Sequence, residues 1–200
     1  MAPKEFKALL RIGPHNIDVL SLLFGSLLGD TFGEKRKTSD GNVSVRFALA
    51  QSNKNIEDLV STHQYLSSRG YCSSKKPKLY KKIGKKNKVY YGIRITTYSF
   101  GSLVWLHDIF YQNQIKSIPD DMYLERYLTP LALRAWLMDD GWKQGSGLRI
   151  AKTNSFLLKD LERLKCFLLE AYGLAIRIQS NGKGKMRCIL PVPKKTKAFR

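Results

Sequence analysis

One pattern occurs twice in this chain, and each copy opens with an apolar helix that ends on an acid. The first helix is read from Asn16 to Asp30, with Leu20, Leu23, Phe24, Leu27 and Leu28 at helical spacing. Pro14 lies just ahead, and Asn16 can cap the first turn. The second begins at Thr129, with Pro130 at the first helical position, and continues through Ala132, Leu133, Trp136 and Leu137 to Asp140-Gly141. Asp30 and Asp140 stand 110 residues apart. Two similar units on one chain predict a pseudo-twofold protein, the single-chain version of an isologous dimer.

The elements behind each helix repeat as well. In the first copy Val43 to Gln51 alternates as a strand, and Asn53 caps a helix to Ser68 that Gly70 ends. Lys76, Lys78, Tyr80 and Lys82 alternate, a turn at Gly84 follows, and Val89, Tyr91, Ile93 and Ile95 alternate with Lys88, Tyr90 and Arg94. Ser99 caps a third helix to Tyr111. In the second copy a strand spans Leu148 to Thr153, and Asn154 or Ser155 caps a helix to Tyr172 that Gly173 closes. Ile176 and Ile178 alternate with Arg177 and Gln179, Asn181-Gly182 turns the chain, and Met186, Cys188 and Leu190 alternate with Lys185 and Arg187. The fold class is therefore α+β, with paired helices and antiparallel sheets. The halves divide as residues 1–117 and 118–200, with the junction around Ser117 to Arg126. Residues 191–200 are proline-broken and basic, so the last helix of the second unit is read as missing, as in a truncated or divergent copy.

Charge narrows the partners. Thirty-five Lys and Arg against 16 Asp and Glu leave +19 on 200 residues. A fold this basic repels itself, and a polyanionic partner relieves that repulsion. No apolar run reaches the roughly 18 residues of a spanning helix, so no membrane is expected. Three cysteines, Cys72, Cys166 and Cys188, fit neither a disulfide framework nor a zinc site and are read as free thiols. His15, His63 and His107 are scattered and read as structural or surface residues.

Asp30 and Asp140 sit where an anion is disfavoured, at the negative end of a helix dipole, by roughly 0.3–1 kcal/mol. One such acid is an ordinary helix-end residue feeding a turn, and that reading stays open for each. Two at equivalent points of a duplicated unit ask for a cation. Mg2+, or Mn2+, takes one or two carboxylates with waters and phosphate oxygens, and free carbonyls at the helix ends could add ligands. Gly25 and Gly29, four apart on one face, allow two helices to approach closely, and the position matching Gly25 in the second helix is Ala135.

The strings Leu23-Phe24-Gly25-Ser26-Leu27-Leu28-Gly29-Asp30 and Leu133-Arg134-Ala135-Trp136-Leu137-Met138-Asp139-Asp140-Gly141 resemble two degenerate LAGLIDADG motifs. With Ile118-Pro119 and Tyr127-Leu128-Thr129-Pro130, the chain is similar to two-motif homing endonucleases encoded in organellar introns, over roughly Asn16 to Leu190. The resemblance implies two αββαββα units, motif helices as the interface between them, and a saddle of sheets along the DNA major groove. It implies metal bound by Asp30 and Asp140 with help from the Gly29 and Asp139 carbonyls, and cleavage of both strands across the minor groove with short 3′ overhangs. It also implies an active-centre lysine in each half. Lys116 matches the first, and no residue is assigned as the second. Thr31 replaces the motif glycine, and Arg134 and Trp136 replace smaller residues.

Between Lys75 and Lys88 lie eight lysines. They read as phosphate neutralisation beside a groove, or as a solvated hairpin whose charge blocks edge pairing. Arg46, Lys76, Lys78, Lys82, Lys88, Arg94, Arg149, Arg177, Lys185 and Arg187 are the candidate DNA contacts on outward strand faces. The expected protein is a monomeric, metal-dependent endonuclease acting on double-stranded DNA in a mitochondrion or chloroplast. The alternative is a maturase of the same fold that binds intron RNA and needs no metal.

Overall fold

The apolar spacing after Asn16 becomes helix α1 (Ile17–Leu28), and the Asn16 side chain accepts a hydrogen bond from the Asp18 amide at 2.7 Å. In this computed structural model the described residues are 8–52, 56–84, 87–144, 147–150, 156–180 and 186–190. From Val19 to Leu28 every residue of α1 is buried, so the helix is surrounded rather than laid on a surface.

Behind α1 come β1 (Phe32–Lys37), β2 (Val43–Ser52), α2 (Ile56–Ser68), β3 (Lys78–Ile83), β4 (Val89–Thr96) and α3 (Val104–Phe110). A small hairpin of β5 (Tyr111–Gln112) and β6 (Ile115–Lys116) leads into α4 (Asp121–Tyr127). The second copy runs α5 (Pro130–Asp140), β7 (Gly141–Gln144), β8 (Gly147–Ile150), α6 (Leu158–Tyr172), β9 (Arg177–Ser180) and β10 (Met186–Leu190). Two four-stranded antiparallel sheets result, with orders β1-β2-β4-β3 and β7-β8-β10-β9. Each begins with the strand that directly follows a motif helix, and that strand is an edge. The class is α+β, with six α-helices among the described residues.

One face of each sheet enters the core, through Val45, Phe47 and Ile95 in the first and Ile150 and Cys188 in the second. The junction is tied to the second copy by Arg163 of α6. Its guanidinium donates to the carbonyls of Pro119 at 2.7 Å and Ile118 at 2.9 Å, and pairs with Asp121 at 3.0 Å and Asp160 at 3.4 Å.

Several boundaries differ from the sequence reading. α3 starts at Val104 behind Leu103, which makes no side-chain cap bond, so Ser99 is not its cap. β1, β7, the β5–β6 hairpin and α4 have no counterpart in the periodicity. The expected caps Asn53, Asn154 and Ser155, the Asn181-Gly182 turn, Lys85, Lys86, Lys185 and residues 191–200, on which the reading of a missing last helix fell, lie outside the described residues.

Candidate active site

Glycine lets the two acid-ended helices touch. A Cβ added to Gly25 would lie 1.9 Å from the Ala132 carbonyl oxygen, and one added to Gly29 would lie 2.8 Å from Asp139 Cβ. From the first contact to the second, both helices advance toward their C-termini. α1 and α5 therefore run in the same sense, and their ends arrive together, carrying Asp30 and Asp140 on adjoining turns. Gly25 meets Ala132 rather than Ala135. Ala135 lines a small pocket with Leu22 and Ser26 of α1. The two bulky departures from the motif are both accommodated. Arg134 points outward to Asp58 of α2 at 3.0 Å, and Trp136 is fully buried.

Lys116 comes to the same place by another route. The β5–β6 hairpin turns through Asn113 and Gln114, both at positive φ (50° and 64°), the geometry of a two-residue primed turn. Tyr111 pairs with Lys116 across it, and the Tyr111 hydroxyl accepts from the Gly33 amide at 3.3 Å. Lys116 Nζ donates to the carbonyl of Gly29 at 2.7 Å and of Thr31 at 3.1 Å. The ammonium thus satisfies carbonyls at the end of α1 and places positive charge at the negative pole of its dipole.

The electrostatics mark a strained cluster. Burial pushes the Asp140 carboxyl up to about 7, with Asp139 adding repulsion and Lys116 opposing. Burial pulls the Lys116 ammonium down to about 8, against the pull of Asp140 and Asp139. Asp140 is only 4% exposed, and its Oδ2 has no hydrogen-bond partner. A buried carboxylate oxygen without a partner is costly, and a hard divalent cation is the ligand that would relieve it. Among the described residues no three His, Cys, Asp or Glu side chains gather as a metal cluster. The donors on offer are carboxylates and carbonyls, which fits Mg2+ or Mn2+ and not a zinc site.

The cationic candidates fall on one face of each sheet. Residues directly opposite across antiparallel strands share a face. In the first sheet Arg46 stands opposite Glu34, and Arg94 opposite Lys78. Arg46 pairs with Glu34, and Arg94 lies 5.3 Å from the Tyr80 ring centre. Lys82 opposes Tyr90 on that face, and Lys76 and Lys88 are exposed just outside the strands. In the second sheet Arg149 opposes Trp142, Arg177 opposes Ile189, and Arg187 opposes Gln179. The side chains of Lys78, Lys82 and Arg187 lie outside the described set. Glu34, Arg36, Phe32 and Trp142 also stand on these faces. The sequence reading passed over them because β1 and β7 carry no apolar alternation.

A cavity of about 700 Å3 runs beside β1, lined by Phe32, Lys35, Arg36, His107 and Tyr111 among others. Its walls are held by Lys35–Asp108 at 2.7 Å, His107–Asp108 at 2.9 Å and the His107–Tyr111 stack. His15 bonds Tyr71 and Ser102, and His63 bonds the Ser73 carbonyl.

A model of the LAGLIDADG DNA endonuclease family matches residues 20–198. The chain is 35% identical over 191 residues to the cytochrome b mRNA maturase bI2 of Saccharomyces cerevisiae, covering 92% of this chain and 44% of the maturase. It therefore spans under half of that relative. It is 34% identical over 120 residues to the intron-encoded endonuclease ai4 of Dictyostelium discoideum, 58% of this chain and 74% of that protein. Among solved structures, the homing endonuclease I-WcaI bound to its DNA recognition sequence superposes with a TM-score of 0.73 at 22% identity, over 95% of this chain and 80% of that one. I-DmoI in complex with DNA and Mn superposes at 0.50 and 17% identity, over 88% and 90%.

Proposed function

We propose that this chain, which belongs to the LAGLIDADG DNA endonuclease family, is a site-specific homing endonuclease. It makes double-strand breaks in a long asymmetric DNA target by metal-dependent phosphodiester hydrolysis, and so promotes intron mobility. The observation that carries this reading is the meeting of two helix ends around a buried, unpartnered Asp140 oxygen, with the Lys116 ammonium beside it. Asp30 and Asp140 hold Mg2+ or Mn2+, assisted by the carbonyls of Gly29 and Asp139. Bound there, the ion supplies an activated water and stabilises the leaving oxygen. Gly29's carbonyl already accepts from Lys116 and keeps a second lone pair. Lys116 fixes the end of α1 and carries, on Nζ, a proton that can be passed near neutral pH.

The two units, 1–117 and 118–200, are read as halves about a pseudo-twofold axis. Gly29 and Asp139 occupy equivalent positions 110 residues apart, and they touch. Equivalent residues in contact lie on the axis of an isologous pair. The axis then passes between Asp30 and Asp140, one acid for each DNA strand. The outward cationic faces form the saddle, with double-stranded DNA as partner and the protein monomeric. No helix among the described residues is long and apolar enough to cross a membrane. The setting is organellar, mitochondrion or chloroplast.

The test is Asp30→Asn and Asp140→Asn. Each loses cleavage while duplex binding in Ca2+ persists, and cleavage that survived both substitutions would reject the role.

A second reading is favoured by the similarity to a protein named as a cytochrome b mRNA maturase. In it the same fold binds intron RNA with little or no nuclease activity. Assaying intron-less host-gene DNA for cutting beside intron RNA for splicing separates the two.

A further inference from the structure

Two residues beyond each metal-site acid stands a large aromatic side chain, Phe32 after Asp30 and Trp142 after Asp140. They are 45% and 46% exposed. Each sits at the start of the strand that leaves its acid, β1 or β7, and each strand is the edge of its sheet. Their partners in register, Ala48 and Arg149, fix them on the faces that carry Arg46 and Arg94 in one sheet and Arg149 and Arg177 in the other. A single exposed apolar residue needs no explanation. A matched pair does, at the same step of both copies and on faces otherwise lined with cations.

Neither side chain is used by the core. Phe32 stands opposite Ala48, too small to cover a ring. Trp142 has the Arg149 guanidinium 4.8 Å from its ring centre, which orders both groups on the surface. Because α1 and α5 end together, β1 and β7 both leave from that point, each as the edge strand of its sheet. A duplex whose minor groove is centred on the two carboxylates turns its major groove to the cationic faces on either side, and Phe32 and Trp142 then meet the base pairs just outside the cleavage points. A ring there offers no hydrogen bond from Phe32 and a single N–H from Trp142. The base-edge group that such surfaces match is the 5-methyl of thymine.

We infer that Phe32 and Trp142 are the specificity-determining residues for the base pairs just outside the two cleavage points, reading thymine methyl groups in the major groove by apolar contact. This rests on the DNA-binding reading above.

The experiment is a parallel selection. The full chain and the Phe32→Ser/Trp142→Ser variant each capture duplexes in Ca2+ from a randomised pool, and the recovered sequences are compared. The wild-type pool is enriched for thymine at the positions just outside the cleavage points, and the variant pool loses that enrichment while keeping the rest of the flanking consensus. Replacing those thymines with deoxyuridine then weakens wild-type binding by about fourfold per methyl, the size of one buried methylene, and leaves the variant unchanged. A wild-type consensus without thymine next to the cleavage points, equal affinity for both duplexes, or a variant that keeps the full deoxyuridine penalty overturns the assignment. Loss of the flanking consensus in the variant also overturns it, because the two rings would then be structural. Failure of the wild type to select any consensus instead removes the DNA-binding reading, and this inference falls with it.

Discussion

Gly25→Ala sets two known effects against each other with opposite signs. In a free helix the change stabilises by about 1 kcal/mol, because alanine is the better helix former. Here the new methyl carbon would sit 1.9 Å from the Ala132 carbonyl oxygen. Ordinary contact needs about 3.4 Å, so the helices must part by roughly 1.5 Å, and the obstacle is backbone that no rotamer change can clear. Overpacking of this kind costs about 3 kcal/mol at the upper end of its usual range, leaving a net loss of about 2 kcal/mol. For a chain of this size that lowers Tm by about 4–8 °C. Urea and thermal unfolding of the two proteins measure it directly. The same separation pulls the two acids apart, so cleavage falls more steeply than stability, as misplacement of about 1 Å can cost about 100-fold. A variant as stable as the parent, or more so, would refute the close approach of α1 and α5.

Asp140→Asn should stabilise the metal-free protein at pH 8, by on the order of 4 kcal/mol. Burial pushes the folded carboxyl up to about 7, above its ordinary value of 3.8. Its stabilising contribution is therefore full below about pH 4 and lost as pH rises through about 7, so unfolding curves of parent and variant should converge at pH 4 and separate by pH 8. Lys116→Met removes the donor to the Gly29 and Thr31 carbonyls, and cleavage in Mg2+ should drop by at least about 100-fold with duplex binding retained. Arg163→Ala breaks the bonds to Ile118 and Pro119, and calorimetry should register a loss of about 2–3 kcal/mol that 0.5 M salt barely changes.

The helices that carry the acids were legible because their apolar residues recur with caps at the start, Asn16 and Thr129, whose side chains do accept the expected amides. Lys116 was found through resemblance alone. Its hairpin turns on Asn113 and Gln114 without the glycine that usually signals such a turn. β1 was invisible because Phe-Gly-Glu-Lys-Arg-Lys has charged residues on both faces, as an edge strand can. That one omission hid Glu34, Arg36 and Phe32. Matching the two motif helices by offset pairs Gly25 with Ala135, but equivalence is not contact. Gly25 meets Ala132, while the equivalents of that pair, Ala135 and Leu22, line one pocket, as the proposed twofold requires.

Thermal unfolding in Mn2+ tests the proposed shared metal centre without a DNA target. Saturating Mn2+ at about 100 times its Kd should stabilise the parent by about 2.7 kcal/mol. Asp30→Asn and Asp140→Asn should each abolish that gain, since the proposal has both carboxylates hold the same ion. Full Mn2+ stabilisation in either variant would contradict the account.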